Sequence, residues 1–486
     1  MQVGFAMLEV GSVSPKNTKA VLIKNITDAA LGAICWWTLG HGFAYGTDVG
    51  GFVGTDKFFF TGTTSEDGGQ ATGLAQWFFQ WAFAATAATV VSGAVAERMK
   101  IVAYVHLSIF ITLFIYPFLV HWAWSPAGWA SSFRCTGETT VEEYRQCRSE
   151  SRPMLLGCGT ADFAGSGVVH MTGGICALLA AAVVKPRIGR FRGDGSVCRL
   201  PQQSPALQTL GALILWVGWY GFNGGSVGTI ADGRSALAAK AVVNTTISGA
   251  SSVLSMGILL KTLHKKFDAA HLNNGILSGL VAISASGPLV DSEGAFIIGI
   301  LASAFYLVGV WFLLRFKIDD VVQASAVHLG CGVWGLIASA LLSTKEGYTA
   351  VYNHDVFADA EREEQCCGLF YGCGGRLLAA NLVFVLAIIP WVTLTSFMGM
   401  MGIKAVVGVR VPLHVEAMGM DRSRHQRRKS SIALKRAIRS ASTTYGKGSS
   451  AVSHRPSLKS SQTASPHAAP PAGGPGHWRD GISQRR

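Results

Sequence analysis

A chain of 486 residues in which 49% are apolar and only 14% carry charge is balanced for lipid, which excludes a string of ordinary soluble domains. Residues 404–486 hold 16 of the 41 lysines and arginines but only three acidic residues, Glu416, Asp421 and Asp480, so residues 1–403 are neutral and the tail carries the net charge of +13. A basic excess confined to one low-complexity end, with no base-stacking module beside it, excludes nucleic acid as a partner and reads as a cytosolic tail.

The first apolar segment, Val3 to Val13, reaches only about 17 Å at 1.5 Å per residue and cannot cross a hydrocarbon core about 30 Å thick. It has neither a basic leader nor a cleavage site and reads as the end of a helix whose beginning is missing. The expectation is an incomplete gene model, the transcript encoding about ten or more further apolar residues preceded by an external segment.

Ten full spans are predicted beyond it, at 20–45, 71–95, 101–121, 162–184, 205–223, 236–260, 271–290, 294–314, 322–342 and 376–403. Short loops rich in Lys and Arg stay in the cytoplasm. Lys16 and Lys19, Arg98 and Lys100, Lys185 to Arg199, Lys261 to Lys266, and Arg315 with Lys317 fall in every second loop. The alternate loops are poorer in basic residues for their length and carry Asp48, Asp56, Glu66 and Asp67, then Asp291 and Glu293, then Asp355 to Glu364. With the tail inside, the stub runs inward, and a completed protein would have eleven spans. The loop at 122–160 carries four arginines against this trend, which longer exported loops tolerate.

Two external loops hold six cysteines, Cys135, Cys147 and Cys158 in one and Cys366, Cys367 and Cys373 in the other. Disulfides are favoured there, with the pairing open. The ten cysteines of the chain lack the repeated close pairs of a zinc site, so no metal and no other cofactor is predicted.

Asp162-Phe-Ala-Gly-Ser-Gly-Val-Val-His170 and Asp320-Val-Val-Gln-Ala-Ser-Ala-Val-His328 align without gaps and go on to share Gly174 with Gly332 and Leu178 with Leu336. Counting the stub's span as the first, an odd number of spans separates them, so the two halves run in opposite directions across the membrane. Eight helical residues are about 12 Å, so an aspartate near either surface brings its histidine close to the midplane. A single buried histidine is as often an interhelical hydrogen bond as anything more; a matched pair points to a pathway. Imidazole suits such a site because it exchanges protons near neutral pH or hydrogen-bonds a small amine. Asp162 and Asp320 read most simply as helix N-caps.

Trp219-Tyr-Gly-Phe222-Asn-Gly-Gly-Ser226 ends a span near the outer face, and with no Lys-Ser/Thr after it the glycines are for packing or termination, not phosphate. Phe79, Phe83 and Trp124 lie near outer helix ends, where aromatics are by default interface anchors and otherwise a cage for a small cation.

These segments, together with Gly93-Ala-Val-Ala-Glu-Arg98, Asp319-Asp320 to Gly332, Gly408-Val-Arg-Val-Pro412 and Glu416-Ala-Met-Gly-Met-Asp421, resemble the ammonium transporter (Amt/Mep/Rh) family, Amt branch, over nearly all of residues 1–428. The resemblance implies an all-α polytopic bundle of eleven helices in inverted five-helix repeats, the first truncated here. Residues 1–403 would form the transmembrane domain and residues 404–486 a largely disordered tail, in a homotrimer with a pore in each subunit. It implies that Trp124, Phe83 and Ser226 recruit ammonium, that Phe83 and Phe222 gate the pore, and that Trp219, His170 and His328 line it, with Asp162 supporting the recruitment region. Ser284 stands where the family usually has Thr, and Gln323 where it usually has Asp. The segment Glu416 to Asp421 is similar to one that packs beneath a neighbouring subunit, and Ser430 and Ser431, after Arg427-Arg-Lys429, are candidate phosphorylation sites. The implied function is passage of ammonium or ammonia across a membrane, expected to be the plasma membrane; the alternative is an ammonium sensor signalling through its tail. No nucleophile and base arrangement points to an enzyme.

Overall fold

The computed structural model describes residues 1–61, 70–134, 153–231, 233–352 and 366–423. Cys135, Cys147, the Asp355 to Glu364 loop, Ser430 and Ser431 lie outside the described residues. Helix α1 is Gln2–Ser12, and α2 runs Thr18–Cys35, turns through a π segment at Trp36–Gly40 and ends as His41–Tyr45. Next come α3 (Gln70–Ala94), α4 (Ile101–Trp124), α5 (Ser166–Val184) and α6 (Pro205–Trp219, continued by Tyr220–Gly224). Then follow α7 (Ser235–His264), α8 (Ala269–Ile283), α9 (Ser292–Arg315), α10 (Ala326–Leu342) and α11 (Arg376–Val406).

Among the described residues, α4, α5, α7, α9 and α11 are long and apolar enough to cross a membrane by composition alone, and α10 joins them when taken with the bent helix Lys345–Tyr352. Other helices carry polar groups turned inward, such as Lys24, Asn25 and Asp28 on α2 and Asn273, Asn274 and Ser278 on α8. Their backbone bonds are satisfied within the helix and their side chains avoid lipid, so lower hydropathy is compatible with a membrane bundle. Leu254 and Ile258 on α7, Trp311 on α9, and Leu394 and Met398 on α11 are exposed and form the apolar outer face.

Close approaches at glycine organise the interior. On the face between α1 and α6, a Cβ at Gly211 would lie 2.2 Å from the Leu8 nitrogen, and one at Gly11 would lie 2.4 Å from the Gln208 nitrogen. The short α1 is thereby held against α6 along its length. Helices α5 and α10 meet in the same way: a Cβ at Gly174 would lie 2.3 Å from the Leu329 nitrogen, and one at Gly332 would lie 2.6 Å from the Ser166 oxygen. The two glycines matched by the sequence repeat each admit the other helix.

The helix starts are matched too. The Asp162 carboxylate accepts the N–H groups of Gly167 (3.0 Å) and Val168 (2.8 Å), and the Asp320 carboxylate accepts the Ser325 N–H and hydroxyl, both at 2.7 Å. Three residues after each aspartate the backbone turns left-handed, at Gly165 (φ +92°) and at Gln323 (φ +61°). Glycine adopts this conformation freely. At the second site Gln323 is held by Tyr306 and by Asn274 (3.1 Å), which both donate to its side-chain oxygen.

These capping turns correct the predicted starts at 162 and 322, since the helices begin at Ser166 and Ala326. The span drawn to 290 likewise ends at Ile283. Residues 284–290 form a turn whose Ser284 and Ala285 carbonyls accept the N–H groups of Ala164 (2.7 Å) and Phe163 (3.0 Å). Cys158 pairs with Cys366, tying the loop before α5 to the loop before α11, and Cys367 pairs with Cys373 within the latter loop.

At the basic-loop end, buried Arg98 donates to Ala94 (2.7 Å), Ala96 and Asp319 carbonyls, and Arg187 bridges Asp319 (2.7 Å) and Glu97. Arg410 pairs with Glu416 at 2.9 Å, while Asp421 accepts the Lys19 and Ala20 N–H groups at 2.9 and 2.8 Å and so caps α2. The segment through Asp421 is therefore packed on its own chain.

Burial opposes ionisation of Asp319, but the hydrogen bonds and charge of Arg187, aided by Arg98, outweigh it and hold the carboxyl well below its usual range. Replacing Asp319 by Asn should cost about 3 kcal/mol at neutral pH, because it takes a buried anion from Arg187, which keeps only Glu97, and from the neighbouring buried Arg98. A depressed folded pKa contributes stability above the unfolded value and loses it as pH falls towards the folded one. The gap between parent and variant should therefore close below about pH 4, as read from melting curves in detergent.

Candidate functional site

From the C-terminal end of α4 past α3, one column of rings runs through the centre of the bundle. Trp124, at the end of α4, donates its indole N–H to the Asp162 carbonyl at 2.7 Å and meets Phe83 of α3 edge-on at 5.6 Å. Phe83 lies flat on Phe222 of the α6 π turn, with centroids 3.7 Å apart and planes 15° from parallel. Phe222 is 5.6 Å from His170, which stacks on Trp219 at 5.4 Å and on His328 at 5.2 Å. The two histidine Nδ1 atoms are 3.3 Å apart. All these rings are buried.

Each ring is fixed by its own element. The π turns at Ser166–Met171 and Ala326–Gly330 add a residue to the helical turn that carries each histidine. The crossing at Gly174 and Gly332 brings those turns together. Trp219 donates to the Ser284 hydroxyl at 3.1 Å, so the residue that stands for the family threonine keeps the hydroxyl in use. Ser226 is half-buried and donates to the Phe222 carbonyl at 2.9 Å, one turn above the stacked rings. Asp162 acts twice, capping α5 through its carboxylate and orienting Trp124 through its carbonyl.

An Nδ1 to Nδ1 contact allows one shared proton, so one imidazole donates and the other accepts. His170 Nε2 is buried without a hydrogen-bond partner among the described residues. A buried polar atom left unpaired in this way marks a position for a small polar visitor. No group of three or more His, Cys, Asp or Glu side chains able to hold a metal ion occurs among the described residues.

The family model for the Ammonium Transporter Family matches residues 1–430. The chain belongs to that family. It is 38% identical over 425 residues to ammonium transporter 1 member 2 of Arabidopsis thaliana, covering 85% of this chain and 78% of that protein. To ammonium transporter 1 member 1 of Oryza sativa subsp. japonica it is 39% identical over 433 residues, 86% of this chain and 80% of the relative. Among solved structures, a sensor Amt protein matches at 30% identity with a TM-score of 0.73, covering 87% of this chain and 94% of that one. Mep2 of Saccharomyces cerevisiae matches at 20% identity and a TM-score of 0.69, covering 85% and 84%, a likeness of fold. The chain is thus a polytopic helical membrane protein of an ammonium transporter family, not an enzyme.

Sequence reading brought Trp124, Phe83, Phe222, Trp219, His170 and His328 to notice, and they form one continuous column. It passed over Glu9, Lys24 and Asp28, all buried in the bundle. The signal was available, because Lys24 and Asp28 sit inside the span drawn at 20–45 and an ionisable residue within a span calls for a partner.

Replacing Gly174 by Ala should force α5 from the Leu329 backbone and open the histidine contact. Overpacking of this kind costs about 1–3 kcal/mol, and the variant should melt earlier than a Leu178→Met control in the same detergent.

Proposed function

We propose that this member of the family moves ammonium across a membrane through a pore in each subunit, by the route the ring column marks. The observation that carries this is a flat pair of phenyl rings set directly over two touching, buried histidines, one from each half of an inverted repeat. Removing water from a cation in an apolar setting is costly, and the faces of Trp124 and Phe83 with the hydroxyl of Ser226 offset that cost for an ion that can both stack and hydrogen-bond. Cation–π attraction of this kind is worth about 0.5–2 kcal/mol. A metal ion of similar charge gains no hydrogen bond there, which gives selectivity.

Below the Phe83 and Phe222 gate the surroundings are apolar, so the substrate gives up a proton and continues as ammonia. His170 Nε2 and the inner histidine offer it hydrogen bonds in turn, while the proton passes along the imidazole pair. Asp162, Asp320, Ser284 and Trp219 hold this geometry and do no chemistry.

The exposed apolar faces of α7, α9 and α11 support burial against lipid and against further copies of the chain, in a homotrimer at the plasma membrane with the tail in the cytosol. In that tail, phosphate on Ser430 or Ser431 would change the charge by about −1.5 to −2 next to the segment that caps α2. The residues 404–486 act here as a regulatory extension, not as a transport element.

Two measurements check this reading. Under voltage clamp in a heterologous cell the parent should carry an ammonium-evoked inward current, and His170→Ala or His328→Ala should abolish it or change its ammonium-over-potassium selectivity at equal surface abundance. Parent protein at the surface that passes no current, or histidine variants with unchanged current and selectivity, would contradict it. For the tail, Asp at both Ser430 and Ser431 should change the transport rate; parent-like transport by that variant and by a truncation after Asp421 would remove regulation from the account.

A further inference from the structure

Directly beneath the inner histidine lies a cavity with room for at least one molecule the size of water or ammonia, lined by Phe5, Glu9, Thr89, Asn274, Val327 and His328 among others. Among the described residues Glu9 is the sole carboxylate on its wall. Asn25 (3.1 Å) and Ser92 (2.8 Å) both donate to Glu9 Oε2, and Oε1 accepts no hydrogen bond among the described residues. A second carboxylate, Asp28, is tied to the same wall, because Thr89 donates to it, as does Ser108. The remaining charge is Lys24, whose ammonium donates to the Ser92 carbonyl at 2.9 Å and lies 4.8 Å from the Tyr104 ring centroid. The groups that face Glu9 are therefore Lys24 and Asp28 from α2 and His328 across the cavity, with Tyr104 behind Lys24.

One buried ammonium and two carboxylates are neutral only when the cluster also holds one proton or one small cation. Glu9 lines the same cavity as His328, so that proton or cation can come from the conduction route. We propose that Glu9 makes this cavity an inner ammonium site, where ammonia that has passed His328 regains its charge before release to the cytosol. The inference rests on the transport reading above and extends it by one residue.

The step balances without any further reactant. The lone pair of ammonia takes the proton of the Glu9 carboxyl, the O–H bond breaks as the fourth N–H bond forms, and the ammonium ion rests against the carboxylate it has created. The Lys24, Asp28 and Glu9 cluster stays neutral overall with the ion in place. When the ion leaves, the proton given up below the gate and handed on by His170 and His328 returns Glu9 to its starting form. Ammonia and proton thereby reach the inner side together although they pass the histidines apart.

The test uses inside-out membrane patches from cells expressing the full chain, with ammonium chloride on the cytosolic face, and whole cells for the external face. Replacing Glu9 by Gln keeps the Asn25 and Ser92 partners in reach but removes the charge. Glu9→Gln should raise the half-saturating cytosolic ammonium about tenfold and leave the external value within about twofold of the parent, while Glu9→Asp should stay near the parent on both faces. If Glu9→Gln does not reach the surface, the double variant Glu9→Gln with Lys24→Met, which removes both charges, should show the same one-sided shift. An unchanged cytosolic value in whichever of these variants reaches the surface would overturn the inference, as would equal shifts on both faces with Glu9→Asp shifted too, the mark of a structural role. A parent that carries no ammonium current would instead overturn the transport reading itself.

Discussion

The contact on which the site depends is the crossing of α5 and α10, where two glycines from opposite halves of the chain each make way for the other helix. Because Gly174 and Gly332 have no Cβ, the backbones approach to a distance that no other residue would permit, and the π turns just before them carry His170 and His328 into contact. Helix caps fix the other end of each segment, with Asp162 and Asp320 in matching positions and the chain entering through a left-handed residue in both. Displacing any one of these parts moves an imidazole. The symmetry is thus a way of making two rings meet in the middle of a helical bundle with few specifying residues.

Around that contact the bundle grades from lipid to interior in an orderly way. Outer helices such as α7, α9 and α11 present exposed Leu, Met and Trp side chains, while inner helices carry the groups a hydrocarbon core would reject. Polar residues that would be liabilities in lipid become useful when enclosed, and this is why a chain with neutral spans still buries Glu9, Lys24, Asp28, Asp162 and Asp320. At the basic-loop end a second set of charges, buried Arg98, Glu97 and Asp319 with partly buried Arg187, ties the loops after α3, α5 and α9 together and receives the start of the tail through Arg410 and Glu416. A change in the tail therefore has a path of direct contacts to the start of α10.

Much of this was legible in the sequence, for identifiable reasons. The hydrophobic runs and the Asp-to-His repeat are signals carried by short segments, and they survive in the structure as helices, caps and the histidine pair. The resemblance to the family supplied the aromatic partners Phe83, Phe222, Trp124 and Trp219, which composition alone would have left as interface anchors. Boundaries were drawn too long at 162, 290 and 322, because apolar residues in a capping turn look the same as apolar residues in a helix. The pairing of Cys158 with Cys366 and the partners of Glu9 and Lys24 were not legible, since they depend on residues up to 208 positions apart. Only the folded chain brings them together.

The central claim is that the ring column conducts ammonium in preference to ions of similar size, and purified protein in liposomes tests it without any other cellular transporter present. Adsorbed to a solid-supported electrode, such liposomes should give a transient inward current when ammonium replaces sodium in the external solution, and no comparable current when potassium does. An ammonium response no larger than that to potassium, or no larger than that of protein-free liposomes, would contradict it.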